Sequence, residues 1–283
     1  MGLVYDRATK QTYEDVHYGK KYLQFLYHHA VGRCLLKIAV RPSFSKLCGK
    51  YYDSPRSVKK IQPFIEKNKI DMSLFEEKPY KTFNEFFTRQ KKEIHFDMKE
   101  NILCSPCDSK LSCYTITKDL KLVIKNNVYT LKELLKDEKM VEEFQDGKCL
   151  VFRLAVNDYH RYCAVDYLSI IGSKKVKGKL HTVSSISKDY RIYAENERVV
   201  NTIQTKHLGK MVMIEVGAML VGKITNSSKT KFHRGEEMGY FEYGGSTVIL
   251  ITQDNISVVE DILQNSNKHV ETKVSVGEKI GKL

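Results

Sequence analysis

Between Lys20 and Arg41 apolar side chains return at every fourth position, Leu23, Tyr27, Val31 and Leu35, with Phe25, Leu36 and Ile38 widening the stripe and Arg33 and Lys37 on another side. That period predicts one amphipathic helix over 20–41. The stretches TFNEFFTRQKKE (82–93) and LKELLKDEKMVEEFQ (131–145) read as two more helices. From about Lys148 the pattern changes to short β-branched runs punctuated by glycine: CLVFRLAV, KMVMIEVGAMLVGKI, STVILIT and TKVSVGEKIGKL. Helical signals early and strand signals late predict an α+β protein, an N-terminal helical segment followed by a β-rich domain. The boundary falls between Lys91 and Asn101, which divides the chain into 1–95 and 96–283. The polar TNSSKTK (225–231) reads as an exposed loop.

A chain of 283 residues, 42% hydrophobic, can bury a core without outside help. Its 47 Lys and Arg against 34 Asp and Glu give a formal net charge of +13. Residues 1–70 hold fourteen of the basic and five of the acidic side chains, so nine of those charges lie in the N-terminal quarter. Charges interrupt the 20–41 stripe too often for a spanning helix, whereas a basic apolar helix suits either a membrane interface or the protein's own core. The opening MGLVYDRATKQ lacks the apolar run of a signal peptide, and MGLVYD lacks the Ser or Thr of a myristoylation signal. No reading motif accompanies the basic excess, which argues against a nucleic-acid partner. Seven scattered cysteines, an odd number, fit a reducing compartment better than a disulfide framework. Cys104-Ser-Pro-Cys107 is a lone CxxC with no second pair at zinc-site spacing, so no metal is expected.

Several stretches carry candidate chemistry. FRLAVNDYHRYC (152–163) begins as a strand and ends in Asp158, Tyr159, His160 and Arg161, an acid/base group beside an anion clamp. SPCDSKLS (105–112) places Asp108 after a proline turn, AENERVV (194–200) is a charged cluster, and VGAMLVGKI (216–224) is a strand whose glycines permit close backbone approach. HRGEEMGYFEYGGST (233–247) has too few glycines in order for a phosphate loop.

In this order, TFNEFFTR, SPCDS, FRLAVNDYHRY, GKLHTV, NERVV, VGAMLVGKI and RGEEMGYFEYGGSTV resemble the motifs of the pyruvoyl-dependent phosphatidylserine decarboxylases, from about Lys81 to Leu250. The resemblance implies a proenzyme that cuts itself between Gly245 and Ser246 into a large chain (1–245) and a small one (246–283). It makes 1–95 a membrane-associating region and 96–283 the catalytic domain. Ser246 Oγ attacks the Gly245 carbonyl, a step for which glycine offers a bent backbone without an obstructing Cβ. The resulting ester eliminates, and residue 246 becomes a pyruvoyl group, the covalent cofactor. That ketone would form a Schiff base with phosphatidylserine and release carbon dioxide to give phosphatidylethanolamine. The implied partners are phosphatidylserine, an anionic membrane surface on the cytoplasmic side of the cell membrane, the two chains of one precursor, and room for a homodimer. By resemblance Asp108 stands at the family's processing aspartate and His160 at the first histidine of its DYHRxH motif, a proton donor or substrate orienter in decarboxylation.

The chain departs from the pattern at two places. Cys163 occupies the family's second histidine, the partner of the processing aspartate, so the base for Ser246 is left open among Asp108, His181 of GKLHTV, and a Cys163 thiolate whose pKa would have to be lowered. Gly244 stands where leucine is commoner, adding backbone freedom. Two other readings remain: a pyruvoyl decarboxylase of a soluble amino acid, and a lipid-binding homologue that no longer processes itself.

Overall fold

The computed structural model describes residues 2–15, 19–117, 119, 121–124, 127–138, 140–183, 185–187, 189–220 and 223–283. The chain opens with a hairpin, β1 (Leu3–Asp6) and β2 (Gln11–Glu14), and then the helices α1 (Lys20–His28), α2 (Ala30–Ala39), α3 (Pro42–Tyr52), α4 (Ile61–Asn68) and α5 (Phe83–Phe87). Next come β3 (Ile102–Cys104), β4 (Ser109–Thr115), β5 (Lys121–Ile124), β6 (Asn127–Thr130), α6 (Leu131–Leu135), β7 (Lys148–Leu154), β8 (Arg161–Cys163), β9 (Leu168–Val176) and α7 (Ile192–Glu195). The last part holds β10 (Arg198–Thr205), β11 (Lys210–Gly217), β12 (Ile224–Asn226), β13 (Lys231–Phe232), β14 (Glu237–Phe241), β15 (Ser246–Thr252), β16 (Ser257–Val258), α8 (Glu260–Asn267), β17 (Val270–Val274) and β18 (Lys279–Lys282). This is the α+β arrangement expected from the sequence.

One ten-stranded sheet dominates, in the order β13-β9-β10-β11-β15-β7-β4-β17-β1-β2. Its pairings are antiparallel except β1 on β17, which is parallel. The apolar STVILIT run of β15 is buried along its whole length because it lies between β11 and β7, with Leu150, Phe152, Ile214 and Ile249 in the main core. β12-β14-β8 and β16-β18-β3 form two smaller sheets. A separate aromatic cluster of Phe64, Phe83, Phe86, Phe87 and Tyr243 joins the helical part to the residues just before β15.

The helical expectations change in detail. The stripe over 20–41 is two helices, broken at His29 in extended backbone (φ −93°, ψ 145°). The cause lies in packing: α2 approaches α1 so closely at Gly32 that any Cβ there would collide with the Phe25 carbonyl. Tyr27 is therefore buried while Val31, the next position of the apparent stripe, is 67% exposed. The 131–145 segment stops as an α-helix at Leu135, where Lys136 turns left-handed (φ 55°), and a 3-10 turn at Val141–Phe144 follows. A Thr130–Glu133 capping box starts α6. The 82–93 helix ends at Phe87. β11 ends at Gly217; the rest of 216–224 is turn at 218–220 and strand again from Ile224, with Val221 and Gly222 outside the described residues. The opening residues, assigned with the helices by a division at 95, form strands of the main sheet, since Leu3 of β1 pairs with Val270 of β17. Among the described residues no helix is long and apolar enough to cross a membrane.

Candidate active site

β15 begins at Ser246, which pairs with Leu154 of β7 on one side and Gly217 of β11 on the other. Its hydroxyl is fully buried, and His160 Nδ1 lies 3.3 Å from Oγ. His160 Nε2 sits 2.9 Å from the Ala155 carbonyl oxygen. A carbonyl only accepts, so Nε2 carries the hydrogen and Nδ1 turns its lone pair to the serine, whose O–H donates. The turn between β7 and β8 is closed by Asp158: its backbone N–H donates to the Ala155 carbonyl at 2.9 Å and its carboxylate accepts from the Ala155 N–H at 2.7 Å. Lys110 of β4 pairs with the same carboxylate at 3.1 Å. Phe87 of α5 lies over the imidazole, ring centroids 4.3 Å apart. Burial pushes His160 down to about 4, with Asp158 opposing that shift, so the ring is a neutral base at ordinary pH.

The other candidates lie elsewhere. Asp108 ion-pairs with Lys91 at 2.7 Å and accepts from the Val276 N–H at 2.8 Å; neither bond goes to Ser246. Cys163 ends β8, donates its backbone N–H to the Pro106 carbonyl, and packs its thiol among Phe75, Tyr159 and Val276. Burial pushes that thiol up to about 12, the opposite of what a thiolate base requires. His181 Nδ1 hydrogen-bonds the Tyr27 hydroxyl of α1 at 3.1 Å, while its Nε2 faces Glu195 at 3.9 Å; neither bond goes to Ser246. Arg161, read as an anion clamp, is occupied: it binds Glu237 through two bonds of 2.6 and 2.8 Å and donates to the Thr88 carbonyl. In AENERVV, Asn196 bridges His181 and the Gly217 carbonyl, and Arg198 donates to backbone carbonyls.

The turn before Ser246 differs from the expectation for its glycines. Gly244 has φ 141°, a conformation that a side chain rarely allows, whereas a Cβ on Gly245 would meet Val183 and the Leu154 carbonyl only at ordinary contact distances of 3.5 and 3.8 Å. The conformational demand therefore falls on Gly244, where leucine would be strained.

A cavity of about 970 Å³ opens at this turn, reaching Gly244, Gly245, Leu154 and Ala155. Its far walls are apolar side chains of the first helices, among them Tyr22, Leu23, Leu26, Leu35 and Ile38. Arg153 lies in its floor, held by Asp15 at 2.7 Å and by Glu271. Sequence reasoning missed Lys110, Arg153 and the buried Asn84 of α5; the sole local signal was an amide and two cations within otherwise apolar or strand-forming runs.

Comparison with known proteins agrees with this geometry. A family model described as phosphatidylserine decarboxylase matches residues 83–282. A Clostridium acetobutylicum protein named phosphatidylserine decarboxylase proenzyme 2 is 46% identical, covering 98% of this chain and 97% of its own. Phosphatidylserine decarboxylase proenzymes of Clostridium perfringens and Fusobacterium nucleatum are 38% and 34% identical, each covering 98% of this chain and 98% and 96% of their own. A buried serine at the start of a central strand, a histidine on its hydroxyl, a glycine turn before it, and relatives matched along nearly the whole length lead to one conclusion: the chain belongs to the phosphatidylserine decarboxylase family.

Proposed function

We propose that the protein is a self-processing phosphatidylserine decarboxylase in which His160, rather than an aspartate–histidine pair, activates Ser246. The observation that carries this reading is the 3.3 Å contact between His160 Nδ1 and Ser246 Oγ, beside the Gly245 end of a large apolar cavity. Nδ1 takes the hydroxyl proton as Oγ attacks the Gly245 carbonyl, and the peptide nitrogen leaves as the Ser246 amine, which turns the amide into an ester. Loss of the Ser246 α-proton then expels the Gly245 carboxylate and leaves dehydroalanine. Its imine tautomer takes up water and releases ammonia, so residue 246 ends as a pyruvoyl group.

That residue fits its surroundings. It is buried beside the cavity, next to a neutral base, with Phe87 excluding water from the imidazole. The pyruvoyl ketone would supply the electrophile and electron sink for loss of carbon dioxide from an amino-acid headgroup. Once Oγ is gone, His160 keeps its Nε2–H on the Ala155 carbonyl and its Nδ1 toward residue 246, where, having taken a proton from the substrate's ammonium group, it can return that proton to the carbon that carbon dioxide leaves. The apolar walls from α1 and α2 suit acyl chains. α1, α2 and α3 expose Tyr22, Leu35 and Ile38 toward the open cavity, and Val31 and Leu47 besides, among Lys21, Arg33, Lys37, Lys46 and Lys50, a surface suited to peripheral attachment to an anionic bilayer.

Intact mass under denaturing conditions tests the reading. The wild-type chain should split after Gly245, with a carbonyl-reactive blocked N-terminus on the small chain, and Ser246→Ala should stay whole. The split protein should release carbon dioxide from phosphatidylserine in vesicles and not from free serine, and Leu35→Ser/Ile38→Ser should no longer sediment with anionic vesicles. An unsplit wild-type chain that still sediments would overturn the enzyme reading in favour of lipid binding.

A further inference from the structure

The motif TFNEFFTR puts Phe87 on the His160 ring, and the same helix also reaches the backbone two residues before the Gly245 carbonyl. α5 is capped by Thr82, whose hydroxyl accepts from the Glu85 N–H, and it buries Phe83, Asn84, Phe86 and Phe87. An amide in such an aromatic setting is costly unless its polar atoms are used. Both ends of Asn84 are: Oδ1 accepts from the Tyr243 backbone N–H at 3.0 Å, and Nδ2 donates to Asp53 Oδ1 at 2.7 Å.

Tyr243 is the last residue before the scissile bond that has a side chain, because Gly244 and Gly245 follow it. Two glycines cannot hold a turn by packing, so its placement is set at Tyr243. There the backbone is held by Asn84 and the ring by Tyr52, Phe83 and Phe87, with centroids 4.2, 5.2 and 5.2 Å away. Phe87, one turn of α5 beyond Asn84, also lies on the His160 ring.

We infer that α5 sets the distance between the scissile carbonyl and its base, with Asn84 and Phe87 as positioning residues for self-cleavage: Asn84 fixes the acyl side through Tyr243 and Phe87 fixes the imidazole. The inference rests on the cleavage reading given above. Self-cleavage requires Oγ, base and carbonyl to be aligned within a few tenths of an ångström, and a displacement of about 1 Å costs on the order of a hundredfold in rate.

The experiment follows cleavage of freshly folded precursor by intact mass, with melting temperature measured in parallel. Asn84→Ala should split about a hundredfold more slowly. Asn84→Asp keeps an acceptor for Tyr243 but opposes a second carboxylate to Asp53, so it should also be slow. Asn84→Asp/Asp53→Asn restores the pair with donor and acceptor exchanged, and should return to within about threefold of wild type, as expected for two residues that act as one unit. Phe87→Leu keeps an apolar cover but admits water to His160, whose other neighbours are Ser246, the Ala155 carbonyl and the charges of Asp158, Arg89 and Lys110. Less desolvation raises the imidazole pKa. Because cleavage needs the neutral ring, the acid limb of the rate profile should move up by about one pH unit, and the rate at pH 8 should fall as well because the imidazole loses its placement.

A purely structural role would lower the melting temperature without moving that limb and without rescue by the exchanged pair. Wild-type cleavage by Asn84→Ala, or an unmoved acid limb in Phe87→Leu, overturns the inference while leaving the cleavage reading intact. A wild-type chain that never splits removes both.

Discussion

His160 and Cys163 stand at the two ends of the short β8 segment, yet their side chains enter opposite kinds of environment. The histidine faces a hydroxyl and a carbonyl, both neutral. Near the cysteine, Asp108 is fixed by the Lys91 ammonium and a backbone N–H, and the thiol is enclosed by Phe75, Tyr159 and Val276. Burial penalises charge, so a hydroxyl–imidazole pair can be enclosed and remain ready to exchange a proton. The Asp108 carboxylate is instead engaged by the Lys91 ammonium. On the proposed reading the first corner moves a proton, and the second holds a charge still.

This contrast can be broken by experiment. The largest effect should come from His160→Gln, which keeps polar atoms near Ser246 and the Ala155 carbonyl but has no basic nitrogen. Cleavage measured by intact mass should fall by about 10²- to 10⁴-fold, the usual range for a general base, and a rate near wild type would move the proton acceptor elsewhere. A middle effect is expected from Lys91→Met, which leaves Asp108 partly buried without its cation. Denaturant unfolding of the uncleavable Ser246→Ala precursor should show a loss of about 2 kcal/mol, for a pair only partly enclosed. No loss would mean that the charge is not held as described. The smallest effect belongs to Cys163→Ser. Its thiol stays protonated far above neutral pH, so cleavage at pH 7 should change less than about twofold if no thiolate takes part.

Much of this architecture was legible from local sequence. The unbroken apolar run after Ser246 could only be a buried strand, and the turn residues before it marked the site; α+β order followed from where the periods changed. What stayed hidden depended on distant partners. The division of 20–41 into two helices comes from the approach of Gly32 to the Phe25 carbonyl, which side-chain periodicity does not record. Arg161 looked free because Glu237, its partner, is far along the chain. His160 was legible as an acid/base group, but its bond to Ser246 arises from the meeting of the β7–β8 turn with the start of β15. Resemblance pointed to Asp108 and left Cys163 open; in the structure Asp108 bonds Lys91, and the Cys163 N–H bonds the Pro106 carbonyl.

The parallel pairing of β1 with β17 gives the proposed cut a place in time. Leu3 of β1 pairs with Val270 of β17, far along the chain, and β15 must find both β7 and β11 before Ser246 meets His160. Contacts so far apart in sequence form late and slowly. On the proposed reading, a nascent or half-folded chain holds the serine without its base, and the cut would come only after the sheet has closed around it. After such a cut β15, β17 and β18 would be kept by neighbours on the other fragment, with Glu271 bound to Arg153, and the break would stand as a permanent mark that folding was completed.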